Sequence, residues 1–141
     1  MTSNRIAMTI KIEAPLQKVW DSLVQWERQG DWMLQTKVRV TSQITEGVGT
    51  TIDAFTGIGS LGILDTMTVT HWQPPQTCDV IHTGKIIKGT GRFHLRHLSP
   101  DTTAFDWSEE IQAPRVIFYA LWPGLYIGVR ISLARFARTF R

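Results

Sequence analysis

The sequence predicts an α+β fold in which a curved antiparallel sheet of about seven strands wraps around one long C-terminal helix, with two short helices after the first strand. Three observations carry that reading. Segments with period-two alternation are joined by short turns rich in Gly and Pro, as antiparallel pairing requires. From Phe118 onward the period changes: Phe118, Trp122, Leu125, Val129, Leu133, Phe136 and Phe140 recur at steps of four and three. At roughly 100° per residue they fall within an arc of about 80°, one apolar stripe. Finally, 141 residues with 43% hydrophobic and 19% charged side chains suffice for a buried core. A lone helix with such a stripe has only the sheet to lie on.

The elements follow in order. Ile6, Met8, Ile10 and Ile12 alternate with Arg5, Ala7, Thr9 and Lys11, a half-buried strand. Ala14-Pro15 ends it, and proline suits the first turn of the helix suggested by Leu16, Val19, Trp20 and Leu23. A second short helical stretch, Trp26 to Gly30, ends near Asp31-Trp32. Val38, Val40 and Ile44 then alternate with Lys37, Arg39 and Thr41. After the Glu46–Gly49 turn, Thr50 to Phe55 is strand-like through its threonines and β-branched residues. Gly57, Gly59 and Gly62 punctuate a hairpin into a strand from Leu64 to Trp72, which Pro74-Pro75 stops. Strands at Thr77–Thr83, Arg92–Leu98 and Thr102–Ile111 follow, with Gly84–Gly91 as a connection or in part a strand, Ser99-Pro100-Asp101 as a turn and Pro114 as the stop. Pro123 cannot donate to the Tyr119 carbonyl, but the stripe keeps its phase across it, which predicts a bend rather than two helices.

Composition excludes several classes. The net charge is only +3. Arg130, Arg135, Arg138 and Arg141 lie opposite the stripe, a local basic face and not a nucleic-acid interface. Cys78 is the only cysteine, so no internal disulfide is expected and a reducing cytoplasm fits. The N-terminus from Met1 lacks a signal-peptide apolar core. The uncharged run Val116–Val129 is shorter than the roughly 20 residues of a membrane span and contains Pro123-Gly124. No transmembrane segment is expected; peripheral membrane contact through the arginine face is the weaker alternative. The glycines match neither a phosphate loop nor a dinucleotide fingerprint, and no nucleophile elbow occurs, so no cofactor is expected. A monomer and a homodimer both remain open.

Candidate chemical groups are few. His94 and His97 point to opposite faces of a strand and cannot converge on a metal, and no metal site is expected. Adjacent Glu109 and Glu110 are likewise split, which excludes paired carboxylates. Phe105, Trp107 and Glu109 share a face, and the aromatics make it the inner one. Glu109 would be a carboxylate at an apolar hollow, or else a structural partner of a helix-terminal amide or Arg115. Phe93 and Leu95 should face the same hollow. Cys78, Val80 and His82 share a face, as do Asp65, Met67, Val69 and His71, with His71 at the rim. His82 is the best candidate for a polar group inside. Trp20 and Trp32 read as core, whereas Trp107 and Trp122 could face each other across the hollow.

The order of elements resembles the helix-grip fold of the START-like superfamily, also called SRPBCC, which includes birch-pollen-allergen-like proteins and the polyketide cyclase/dehydrase and lipid-transport family. The matching segments are Ile10-Lys-Ile-Glu-Ala-Pro15 with Val19-Trp20, Trp26 and Trp32, then Gly47-Val-Gly49-Thr50, Trp72-Gln-Pro-Pro75 and Phe105-Asp-Trp107-Ser-Glu109. The resemblance implies one domain over residues 1–141. It also implies a cavity for a lipid, sterol, polyketide, quinone or plant hormone between sheet and helix. No shared catalytic signature maps onto these positions. The leading expectation is therefore binding of a small hydrophobic molecule, a lipid, isoprenoid or aromatic polyketide. Met67, Val69, Phe93, Leu95, Trp107, Phe118, Trp122 and Tyr126 would line its site. One alternative is a cyclase or dehydratase with His82 or Glu109 as base and Arg115 or Tyr119 as donors. Another is a protein- or membrane-interaction module.

Overall fold

In the computed structural model β1 (Thr2–Ile12) shows the expected alternation, with Ile6, Met8 and Ile12 buried and Arg5, Ala7 and Lys11 exposed. The structure describes residues 2–141, with side chains from Asn4; the reading made at Met1 lies outside them. Next come α1 (Leu16–Leu23), a 3-10 turn (Trp26–Asp31), β2 (Thr36–Val40), β3 (Thr51–Ile58), β4 (Leu61–Gln73), β5 (Thr77–Thr83), β6 (Lys88–Ser99), β7 (Thr102–Ala113) and α2 (Arg115–Arg138). The strands form a seven-stranded sheet in the order β1-β7-β6-β5-β4-β3-β2, every neighbour antiparallel. Short hairpins make each neighbour, except that β1 closes on β7 across the whole chain. The predicted helix-grip architecture is the observed one.

Register decides which side chains face the helix. Met8 pairs with Trp107, Trp107 with Phe93, Phe93 with Cys78 and Cys78 with Trp72, so one inward row crosses five strands. On the outer face, where water competes, the row is ionic. Arg92 clamps Asp79 at 2.7 and 2.8 Å, and Arg96 clamps Asp106 at 2.6 and 3.1 Å. His94 belongs to this outer face and meets the Thr77 hydroxyl at 2.8 Å. Bidentate forks of this kind set strand register more than they add stability.

One end of the sheet's hollow is packed shut by aromatics. Trp32 and Phe136 lie 4.6 Å apart between ring centres, Phe136 stands edge-on to Phe105, and Trp20 stands edge-on to Trp72. The C-terminal half of α2 is bound into this core. Ser132, Leu133, Phe136 and Ala137 are buried, the Leu34 amide donates to the Ser132 hydroxyl at 2.9 Å, and Arg135 donates to the Asp31 carbonyl.

Several expectations are corrected. β2 stops at Val40, leaving Ile44 exposed in the following loop. β6 begins at Lys88, so the Gly84–Gly91 stretch is partly strand, as one of its two readings had it. A bulge between Val69 and His71 shifts the register of β4, so Trp72 turns inward and His71 is exposed instead of rimming the hollow. The helix runs unbroken through Pro123, but its stripe is buried only at Phe118, Leu133 and Phe136. Trp122 is 36% exposed, because the helix leans on β1 and β7 rather than across the middle of the sheet. The first half of α2 also exposes Val116, Leu121 and Ile127. Its 24 residues hold an 18-residue window of mean hydropathy 1.5, long and apolar enough to cross a bilayer; burial of Leu133 and Phe136 against the sheet makes it the gripped helix of this fold.

Candidate functional site

Three inward positions on three strands converge beyond the aromatic floor: Asp65 of β4, His82 of β5 and Glu109 of β7. His82 Nδ1 donates to Asp65 Oδ1 at 2.8 Å, and its Nε2 stands 3.4 Å from Glu109 Oε1. The imidazole is almost wholly enclosed, its side chain 1% exposed, whereas the Asp65 and Glu109 side chains keep 17% and 20%. Nε2 has no hydrogen bond of acceptable angle, so its contact with Glu109 is an ion pair in reach of, but not aligned as, a hydrogen bond.

Backbone design makes the contact available. Glu109 sits two strands from His82, and the intervening β6 presents Gly89 opposite His82 and Gly91 opposite Glu109. A Cβ on Gly91 would stand 3.3 Å from a Val80 methyl and 3.6 Å from Glu109 Oε1, in the corridor that carboxylate occupies. Gly89 has φ +134, and a Cβ there would strike the Glu110 carbonyl oxygen. A side chain at either position would obstruct Glu109 or the ladder that holds it.

Burial draws the His82 imidazole toward neutrality, but its hydrogen bond to Asp65 and the charges of both carboxylates outweigh that. The ring is pushed up from 6.5 to about 10. A raised value favours the protonated ring, a hydrogen-bond donor held between the two carboxylates, one of which, Glu109, is the other base expected from the sequence. The protonated ring is a fixed cation between them. No three metal-binding side chains converge on one point among the described residues; here the imidazole lies between the acids.

The remaining candidates divide by position. Met67, Phe93 and Tyr126 are half-buried and packed against the core, and Trp107 and Phe118, 8% and 5% exposed, belong to it. Val69 and Leu95, 1% and 0% exposed, are packed on all sides and belong to the floor. Trp122 stacks on Tyr126 with centres 5.0 Å apart, so its ring partner is on its own helix and not Trp107. Arg115 is exposed, and Tyr119, 65% exposed, rests edge-on against Phe118; no hydrogen bond or ion pair joins either to His82 or Glu109. Arg115 is accordingly not the structural partner of Glu109. Cys78 faces inward, where burial and then the Asp79 charge push its thiol up to about 12, an inert packing group. Asp65 was not singled out from sequence, although alternation placed it on the face of Met67 and Val69, where an acid calls for a partner.

The hollow between a curled antiparallel sheet and its terminal helix can be set against solved structures. A START superfamily protein from Mycobacterium smegmatis superimposes with a TM-score of 0.79 over 97% of this chain and 99% of its own, at 12% identity. The fold is that of the START superfamily. An aromatase/cyclase, Zhui, from Streptomyces sp. R1128 also gives 0.79, over 98% of this chain and 93% of its own, at 14% identity. Norcoclaurine synthase from Thalictrum flavum, in complex with dopamine and hydroxybenzaldehyde, gives 0.75 at 13% identity over 98% and 86%. No protein-family model and no curated protein sequence matches the chain. The START-like likeness is thus one of architecture, and the side chains of this site are this chain's own.

Proposed function

We propose that this chain binds a small, largely apolar molecule in the hollow between the sheet and the first half of α2, with the guest's polar end at the Asp65–His82–Glu109 cluster. The observation that carries this is a buried imidazole held between two partly exposed carboxylates on the inner face of the sheet. Such a cluster is costly to bury, and nothing in the packing of the sheet requires it. Met67, Phe93, Trp107 and Tyr126 would supply the apolar walls. With its single cysteine, the chain suits a cytoplasmic carrier or sensor.

The test is a thermal-shift screen of the full chain against lipids, isoprenoids and polycyclic aromatics. A true guest at a hundredfold excess over its Kd should add about 2.7 kcal/mol to the folded state. A library that raises Tm nowhere would end this reading. A second reading, cyclisation or dehydration with Glu109 as base, is favoured by the partial exposure of Glu109 beside a protonated donor. Turnover of a polyketide-like substrate that survives Glu109→Gln unchanged would dismiss it.

A further inference from the structure

The charge count of the cluster specifies the guest further. Two carboxylates, Asp65 and Glu109, share one imidazole, and each has His82 as its only ion-pair partner among the described residues. The cluster therefore carries excess negative charge whichever way the ring titrates. The helix opposite offers no compensation: from Val116 to Val129 it has no charged residue, and Arg115 is exposed at its start. Nor does the floor, which is Cys78, Val69, Leu95 and Phe105. The 3.4 Å contact of Nε2 engages one Glu109 oxygen off-line, and 20% of the Glu109 side chain stays accessible. Two residues away along the same face of β7 is Trp107, paired across the ladder with Phe93 of β6, and aromatic rings are surfaces that favour a cation.

We propose, resting on the guest-binding reading above, that the guest of this hollow is an aromatic or aliphatic amine whose ammonium group is held by Glu109 with Asp65 behind it. A carboxylate or phosphate at the same place would meet two like charges. A neutral hydroxyl could bond to Glu109 but would leave the excess charge uncompensated.

The experiment titrates the full chain at neutral pH with naphthylethylamine, naphthylethanol and naphthylacetate, one apolar body with three polar ends, by calorimetry. The amine is expected to bind roughly tenfold tighter than the alcohol, with the acetate weakest, the order that one desolvated ion pair confers. Glu109→Gln should bring amine and alcohol within about threefold by removing that pair, and Asp65→Asn should reduce the preference in the same direction. Alcohol or acetate binding as tightly as the amine to the wild-type chain overturns the amine assignment while leaving a guest site in place. An amine preference untouched by both variants also overturns it. If none of the three binds, the guest site itself fails, which is a different and recognisable result.

Discussion

The imidazole between Asp65 and Glu109 should make the stability of the whole fold fall as the solution becomes mildly alkaline. In the unfolded chain His82 titrates at its ordinary 6.5; in the fold it holds its proton to about 10. A raised value means the stabilisation is complete below about pH 6.5 and is lost as pH climbs toward about 10. Each unit of difference is about 1.4 kcal/mol, so the complete span is worth at most about 5 kcal/mol. From about pH 6 to about pH 8.5 the linkage predicts a loss of about 2.5 kcal/mol, a large share of a small domain's stability. That interval ends below the 9.0 at which an unfolded Cys78 is half ionised, so the thiol adds only about 0.2 kcal/mol to the change. The assay is urea denaturation followed by tryptophan fluorescence at both pH values, for the wild type and His82→Gln. The variant loses absolute stability, since two carboxylates are left facing each other, but its pH slope over the interval should flatten. A wild-type stability that is level from about pH 6 to about pH 8.5, or a variant with the same slope, would refute the reasoning.

Other substitutions test separate parts of the structure. Gly91→Val should push Glu109 away from His82, cost about 1–3 kcal/mol and weaken the same pH slope, which denaturation at two pH values reads out. Phe136→Ala removes a fully buried ring that meets Trp32, Phe105 and Phe140, and should cost about 3–5 kcal/mol in chemical denaturation. Trp122→Ala, stacked only on Tyr126 at the surface of the hollow, should cost less than about 1 kcal/mol by the same measurement. Cys78 should resist iodoacetamide in the native state and react only at the rate of unfolding, as mass spectrometry of timed samples would show.

Alternation and turn residues were enough to place the strands that build the hollow, because a sheet with one wet face writes its orientation into every second residue. His82 and Glu109 were visible in this way, as inward polar residues among Cys78, Val80, Phe105 and Trp107. Their meeting was not visible, since it depends on a register spanning three strands and on two glycines that look, in a linear reading, like turn residues. The inward turn of Trp72 was hidden for a related reason: one bulged residue reverses the parity of everything after it. The incomplete burial of the helix stripe was illegible too, because periodicity shows which residues share a side of a helix and not how far that side lies from its neighbour.

The helix itself divides labour along its length. Residues 132–137 are interlocked with the 3-10 turn and the aromatic floor, while the preceding turns are held mainly by Phe118 and leave much of their surface exposed, and Gly124 and Gly128 have no neighbour within 4 Å of where a Cβ would stand. Anchoring and exposure are therefore written in separate stretches of one element. Substitutions in the earlier turns can alter the exposed surface of the helix and leave the clamp at the far end untouched, so a scaffold of this kind is free to vary one half of its terminal helix without having to relearn how to fold.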